Sequence, residues 1–241
     1  MISIFTDSLS ILSPALIFDE LVADLETISD DDLRRLEIPR GKIRLALPVI
    51  IRAAEMAQYC KRVNTLHSAG FRKWQVANLA AFGIVPENSD ISADWHLYAW
   101  NTRAAEQLKK LGCASFTLSP ELPPEKKIAL LRQYSDSPCG IEPAAILWQD
   151  TPLMISEACP VAAVAGKCAH CHGKKETVLE PRKRGDDVII HSRYCRNTVT
   201  NATPLDLRRE YDALHAAGCR RWRYDFRFRN YTADEVAQIT A

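Results

Sequence analysis

The chain has 241 residues, 31 Lys and Arg against 30 Asp and Glu, and a formal net charge of +1. A chain of this length can bury a sizeable core by itself. Its near-neutral charge gives no global case for nucleic acid, membrane or acidic ligands, although a local patch can exist within a neutral total. The apolar runs Leu45–Ile51 and Ala144–Trp148 are far shorter than the ~18 residues of a spanning helix. The run from Ile2 to Phe18 lacks a preceding Lys or Arg and is broken by Asp7 and Pro14, unlike a signal peptide. The expected location is the cytoplasm.

In chain order, residues 1–41 read as an N-terminal arm, with a helix start at Asp30-Asp31-Asp32 where acids precede Arg34 and Arg35. A regular pattern begins at residue 42. Ile43–Ile51 is a nearly continuous apolar run, as in a strand buried on both faces. Ala53–Ala69 reads as a helix stopped by Gly70. Trp74–Ala80 and Asp94–Trp100 read as strands. Asn101 caps a helix ending at Gly112, Ala114–Leu118 is a strand, and Pro123-Pro124-Glu125 opens a helix reaching Tyr134. Gly140–Trp148 is a further strand. Strands alternating with helices imply right-handed crossovers and a parallel sheet. No dinucleotide or phosphate-loop glycine motif follows any strand. Polar residues at strand ends suit a barrel mouth, but only about five βα units are legible where a barrel needs eight. The expectation is an α/β fold, an incomplete TIM-like (β/α) barrel over 42–158. Residues 159–200 form a loop-rich cysteine module, and 201–241 supply a closing helix, Leu205–Ala217, and strand, Trp222–Phe226.

Four of the eight cysteines fall in that module: Cys159, Cys168, Cys171 and Cys195. A Cys-x2-Cys pair can place two sulfurs on one ion, and thiolates suit both tetrahedral zinc and a [4Fe–4S] cluster. One close pair with two singletons favours the cluster. His170 and His172 flank Cys171 and keep zinc as the alternative. Lys174, Lys175, Arg182, Lys183, Arg184, Arg193 and Arg196 surround these cysteines, either as a surface for RNA phosphates or as a solvated loop face.

Several stretches together resemble the peptidase U32 (collagenase-like protease) family. They are Leu45-Ala46-Leu47-Pro48, Ala93 through Asn101, Phe116 through Leu122, and Thr151 through Pro160, with the later cysteines and the Arg221–Phe226 strand. The resemblance covers about residues 42–230 and is to the C-terminal barrel half of longer members. It implies a TIM-like barrel with a [4Fe–4S] cluster on Cys159, Cys168, Cys171 and Cys195. It also implies hydroxylation of an RNA base or an aromatic ring, with an oxygen source other than O₂. RNA and a related chain that completes the barrel are the implied partners. The alternatives are a collagenase-like peptidase and a non-catalytic metal-stabilised subunit. The family's Ser-Gly-x-Cys and Asn-Arg-Gly-x-Cys signature is absent here. The catalytic candidates are Asp94, His96 and Glu121, at strand ends; Asn101 reads as a helix cap.

Overall fold

The computed structural model describes residues 1–136, 140–168, 175–179, 187–193 and 196–241. Eight parallel strands close into a barrel: β1 (Ile2–Thr6), β2 (Glu20–Asp24), β3 (Ile43–Ala46), β4 (Lys73–Val76), β5 (Asp90–Ala93), β6 (Cys113–Thr117), β7 (Glu142–Gln149) and a last strand, Arg221–Asp225. Each pairs with its sequence neighbour, and the last strand lies between β7 and β1. The barrel is therefore complete, and this chain supplies every strand, so no related chain is needed to close it. Residues 1–41 are not an arm. They provide β1, β2 and the short helix α1 (Asp30–Arg35).

Helices α2 (Ala53–Ser68), α3 (Thr102–Lys110) and α4 (Pro124–Asp136) follow β3, β5 and β6. Strand residues alternate between two buried faces. Outward residues such as Leu45, Trp74, Leu147 and Trp222 join two apolar clusters beneath the helices, with Val63 and Leu66 of α2 in one and Leu108 and Leu131 in the other. Inward residues are mostly polar, and only Phe5, Val22 and Ala46 make a small apolar layer in the lumen. Asn101 Oδ1 accepts the Ala104 N–H at 2.9 Å, as its capping role requires.

Other segments depart from expectation as well: the strands read at Ile43–Ile51 and Trp74–Ala80 end at Ala46 and Val76. Asp94–Trp100 is a tight turn after β5 and not a strand; the alternation of Trp95 and Leu97 comes from one turn of 3-10 helix, closed by Tyr98 at φ 49°. The span Leu205–Ala217 begins with a two-residue strand, Leu205–Asp206, and becomes helical at Arg208. Gly218, which ends it, needs its glycine: φ is +104°, and an added Cβ would collide with the Ser135 hydroxyl.

Between β7 and the last barrel strand the chain inserts a second sheet. It consists of β8 (Pro152–Ser156), β9 (Lys175–Leu179), β10 (Val188–Arg193) and β11 (Arg196–Asn201), antiparallel in the order β8-β11-β10-β9. The short helix α5 (Pro160–Ala165) follows β8. After β12 (Leu205–Asp206) come α6 (Tyr211–Ala216), the barrel strand β13 (Arg221–Asp225) and α7 (Ala233–Thr240). The described part of the cysteine module is thus a sheet, begun by residue 152. Among the described residues no helix is long and apolar enough to cross a membrane.

Candidate active site at the mouth of the barrel

Five barrel strands end in or just before an aspartate: Asp7, Asp24, Asp94, Asp150 and Asp225. Carboxylates at the C-terminal ends of parallel strands converge on the face where barrels place their chemistry. Three of these join a chain of alternating charge. Arg223 donates to Asp94 Oδ1 at 2.6 Å and to Asp225 Oδ2 at 2.9 Å. Arg227 forks onto Asp225 at 2.9 and 2.8 Å and reaches Asp24 Oδ2 at 3.8 Å. Both guanidinium groups lie over the Phe5 ring, 4.4 and 3.7 Å from its centroid.

Along this chain three carboxylates share two guanidiniums. Burial raises the Asp94 and Asp225 carboxyls, but the close arginines more than offset it and hold both below the ordinary value; His96 also helps at Asp94. Asp24 sits at the far end with the longest contact. Burial pushes it up to about 7, Arg227 opposes the rise, and Glu26 and Asp7 add to it. Among the described residues its Oδ1 accepts a backbone donor, the Glu26 N–H at 2.8 Å.

Asp24 lines a small cleft, about 60 Å³, between the barrel and the inserted sheet. The barrel contributes Asp7, Asp24, Glu26, Thr27 and Phe228; the sheet contributes His191, Arg193, Arg196 and their neighbours. Charge fastens the sheet over this cleft. Arg193 lies 3.8 Å from Asp7, and Arg196 pairs closely with Glu26 and lies 3.6 Å from both Glu55 and Glu157. Arg52, ahead of α2, donates to Glu157 at 2.6 Å. A covered cleft with a near-neutral carboxyl can move a proton in a site with little water.

The register of the inserted sheet fixes where its cysteine-bearing segments attach. Ser156 pairs with Asn197, Arg193 with Arg196, and Ser192 with Lys175. The end of β8, the start of β9 and the start of β11 therefore share one end of the sheet. In sequence, Cys159 follows β8, Cys168 and Cys171 precede β9, and Cys195 directly precedes β11. Arg193 and Arg196, at this same end, line the cleft. Cys159 is half-buried and caps α5, its Sγ accepting the Ala162 N–H at 3.4 Å. Such a backbone donor to sulfur suits a metal-bound thiolate. Cys168 is exposed. Cys171 and Cys195, like His170, His172, Lys174 and Arg182 to Arg184, lie outside the described residues. Among the described residues no three His, Cys, Asp or Glu side chains stand together to hold a metal ion.

Of the catalytic candidates, two meet. His96 Nδ1 lies 3.2 Å from Asp94 Oδ2, and its ring stacks on Trp95 at 3.8 Å. Asp94 thereby links His96 to Arg223. Glu121 is exposed after β6 and stands apart from this group, beside Tyr98. Asp7, Asp24, His191, Asp225 and Phe228 carry no motif that marks them in the sequence, and Arg227 reads there only as part of the basic, aromatic-interleaved stretch Arg220–Arg229. The recurrent aspartate closing a short apolar stretch, as in Phe5-Thr6-Asp7 and Val22-Ala23-Asp24, is the signal that finds the acids. In β13 the alternation sends Arg223 and Asp225 inward, while Trp222 and Tyr224 pack in the outer core. No family model, curated protein or solved structure matches this chain.

Proposed function

We propose that the chain is a barrel-mouth enzyme that hydroxylates an RNA base or another aromatic ring, a two-electron oxidation whose oxygen atom and electron acceptor come from a co-substrate other than O₂, with a cysteine-ligated [4Fe–4S] cluster in its inserted module. The reading rests on one observation: the sheet end to which the four cysteine-bearing segments attach is the end that covers the Asp24 cleft. The reaction class comes from the resemblance of Ser119-Pro120-Glu121-Leu122 and Pro152-Leu153-Met154 to the U32 family. Cys159, Cys168, Cys171 and Cys195 would hold the cluster, which supplies one-electron chemistry when bound. The Ala162 N–H on Cys159 and the Asn197 amide on the Ala158 carbonyl, at 2.9 Å, would steady its first ligand.

The chain's own residues have separate tasks. Asp24, protonated or ionised with near-equal ease at neutral pH, exchanges a proton with the ring that enters the cleft. Arg193 offers its guanidinium to a phosphate or carboxylate on that ring. The inserted sheet excludes water from above, and the arginine–aspartate chain below keeps the Asp24 environment fixed.

The test is to purify the full chain without oxygen and measure iron, sulfide and zinc, with the visible spectrum. The expected result is about four irons and four sulfides per chain, lost in Cys168→Ala and in Cys195→Ala. One zinc and no iron, or neither metal in folded protein, would overturn the redox reading.

A further inference from the structure

One wall of the cleft has an unusual backbone. Phe228 adopts φ 76°, the left-handed region, where a bulky side chain is an outlier. Such a conformation persists where the surroundings over-determine it, and these sites cluster where ligands bind. Here the cause is visible. The Phe228 N–H donates to Asp7 Oδ2 at 3.2 Å, so a carboxylate at the end of β1 fixes the turn that follows β13. The same oxygen lies 3.8 Å from Arg193 of the inserted sheet.

The consequence is the direction of a ring. Phe228 and His191 both line the cleft, their centroids 5.7 Å apart and their planes tilted by 35°. The Arg227 guanidinium lies 5.2 Å from the Phe228 centroid. Asp24 and Arg193 line the same space. A flat apolar face, a proton-exchanging carboxyl and a guanidinium together suit a planar ring with an anionic substituent.

We propose that Phe228 determines the specificity of the cleft by stacking on the planar ring of the ligand, and that Asp7 is its positioning residue. This rests on the cleft being the substrate site. Benzoate and cyclohexanecarboxylate are the probes, since they share a charge and differ in planarity. Their dissociation constants are measured by NMR titration of the full chain. Stacking on one aromatic side chain predicts at least about fivefold tighter binding of benzoate, with shifts of the His191 and Thr198 signals. Phe228→Tyr keeps that preference. Phe228→Leu reduces it to about twofold or less. Phe228→Asn, which tolerates a left-handed backbone, also loses it while its melting temperature stays within a few degrees of the parent.

The outcomes separate two failures. If benzoate binds at His191 and Thr198 but Phe228→Leu and Phe228→Asn keep the preference, the role of Phe228 is overturned and the cleft remains the site. If the unaltered chain shows no preference, the stacking role is overturned. If benzoate leaves the His191 and Thr198 signals unmoved, the reading of the cleft falls, and the role of Phe228 with it.

Discussion

The two ends of the barrel lumen are both charged, yet they are built on different principles. At the N-terminal end Arg44 donates to Glu20 at 2.9 and 3.1 Å, to the Asp90 carboxylate at 3.2 Å, and to the Trp74 and Asp90 carbonyls. Lys73 adds a 3.0 Å contact to Glu20. Burial raises the Glu20 carboxyl, but Arg44 and Lys73 more than offset it and hold it below its ordinary value. At the C-terminal end the charges do not balance, Asp24 rises to about 7, and Arg223 Nε, Gln149 Oε1 and His96 Nε2 have no hydrogen-bond partner among the described residues. A satisfied network holds a fold together; unsatisfied buried polar atoms at the barrel mouth, beneath the cleft that Asp24 lines, point to a candidate site.

The strongest way to break the comparison is at the paired end. Arg44→Met leaves Glu20 buried without its main partner, which costs on the order of 3–5 kcal/mol, read as a lower urea midpoint. A loss below about 1 kcal/mol would mean that this end is not structural.

Opposite pH dependences sharpen the contrast. Asp24 binds its proton more tightly folded than unfolded, since its value rises from 3.8 to about 7. Over that window unfolding releases a proton, so this group lowers stability as pH rises. Between pH 4 and pH 8 the stability of Asp24→Asn should therefore gain on the parent by on the order of 2–4 kcal/mol. Glu20 has the reverse sign: its value is depressed from 4.5, so its contribution is present above that pH and lost as pH falls below it. Glu20→Gln should cost stability at pH 7 and converge on the parent in acid. Chemical denaturation at several pH values checks both.

The smallest effect belongs to the charged fastening of the inserted sheet. Arg196 is mostly buried, but its partners Glu26, Glu55 and Glu157 are partly exposed. Arg196→Gln should cost about 1 kcal/mol or less at low salt and less still in 1 M salt. Faster amide exchange confined to β8, β10 and β11 is the readout. Exchange that quickens equally in the barrel would contradict a local fastening.

The middle of the chain was largely legible because its strands are apolar on the outward face and its helices are punctuated by Asn101, Gly112 and Gly218. β1 and β2 were missed for a physical reason. A parallel strand is expected to be apolar on both faces, but this lumen is filled with polar groups. Ser3, Glu20 and Asp24 interrupt the runs that would have revealed those strands. Losing two strands made the barrel look incomplete and hid Asp7, Asp24 and Glu26 in a supposed arm. Asp94 and His96 stand out by residue type within a stretch that reads as a strand, Asp94–Trp100, whereas the strand is β5, just before them, whose short Asp90–Ala93 run carries little apolar signal. Phe228 gave no sequence signal, since its meaning lies in a backbone angle.

The proton-transfer role proposed for the covered cleft depends on Asp24 exchanging a proton there. Its carboxyl titration is measured by carbon NMR on the full chain, with Asp24→Asn identifying the signal. A midpoint near 7 is the expected result. A midpoint below about 5, in the ordinary carboxylate range, would contradict it and leave the mouth of the barrel without its proposed proton carrier.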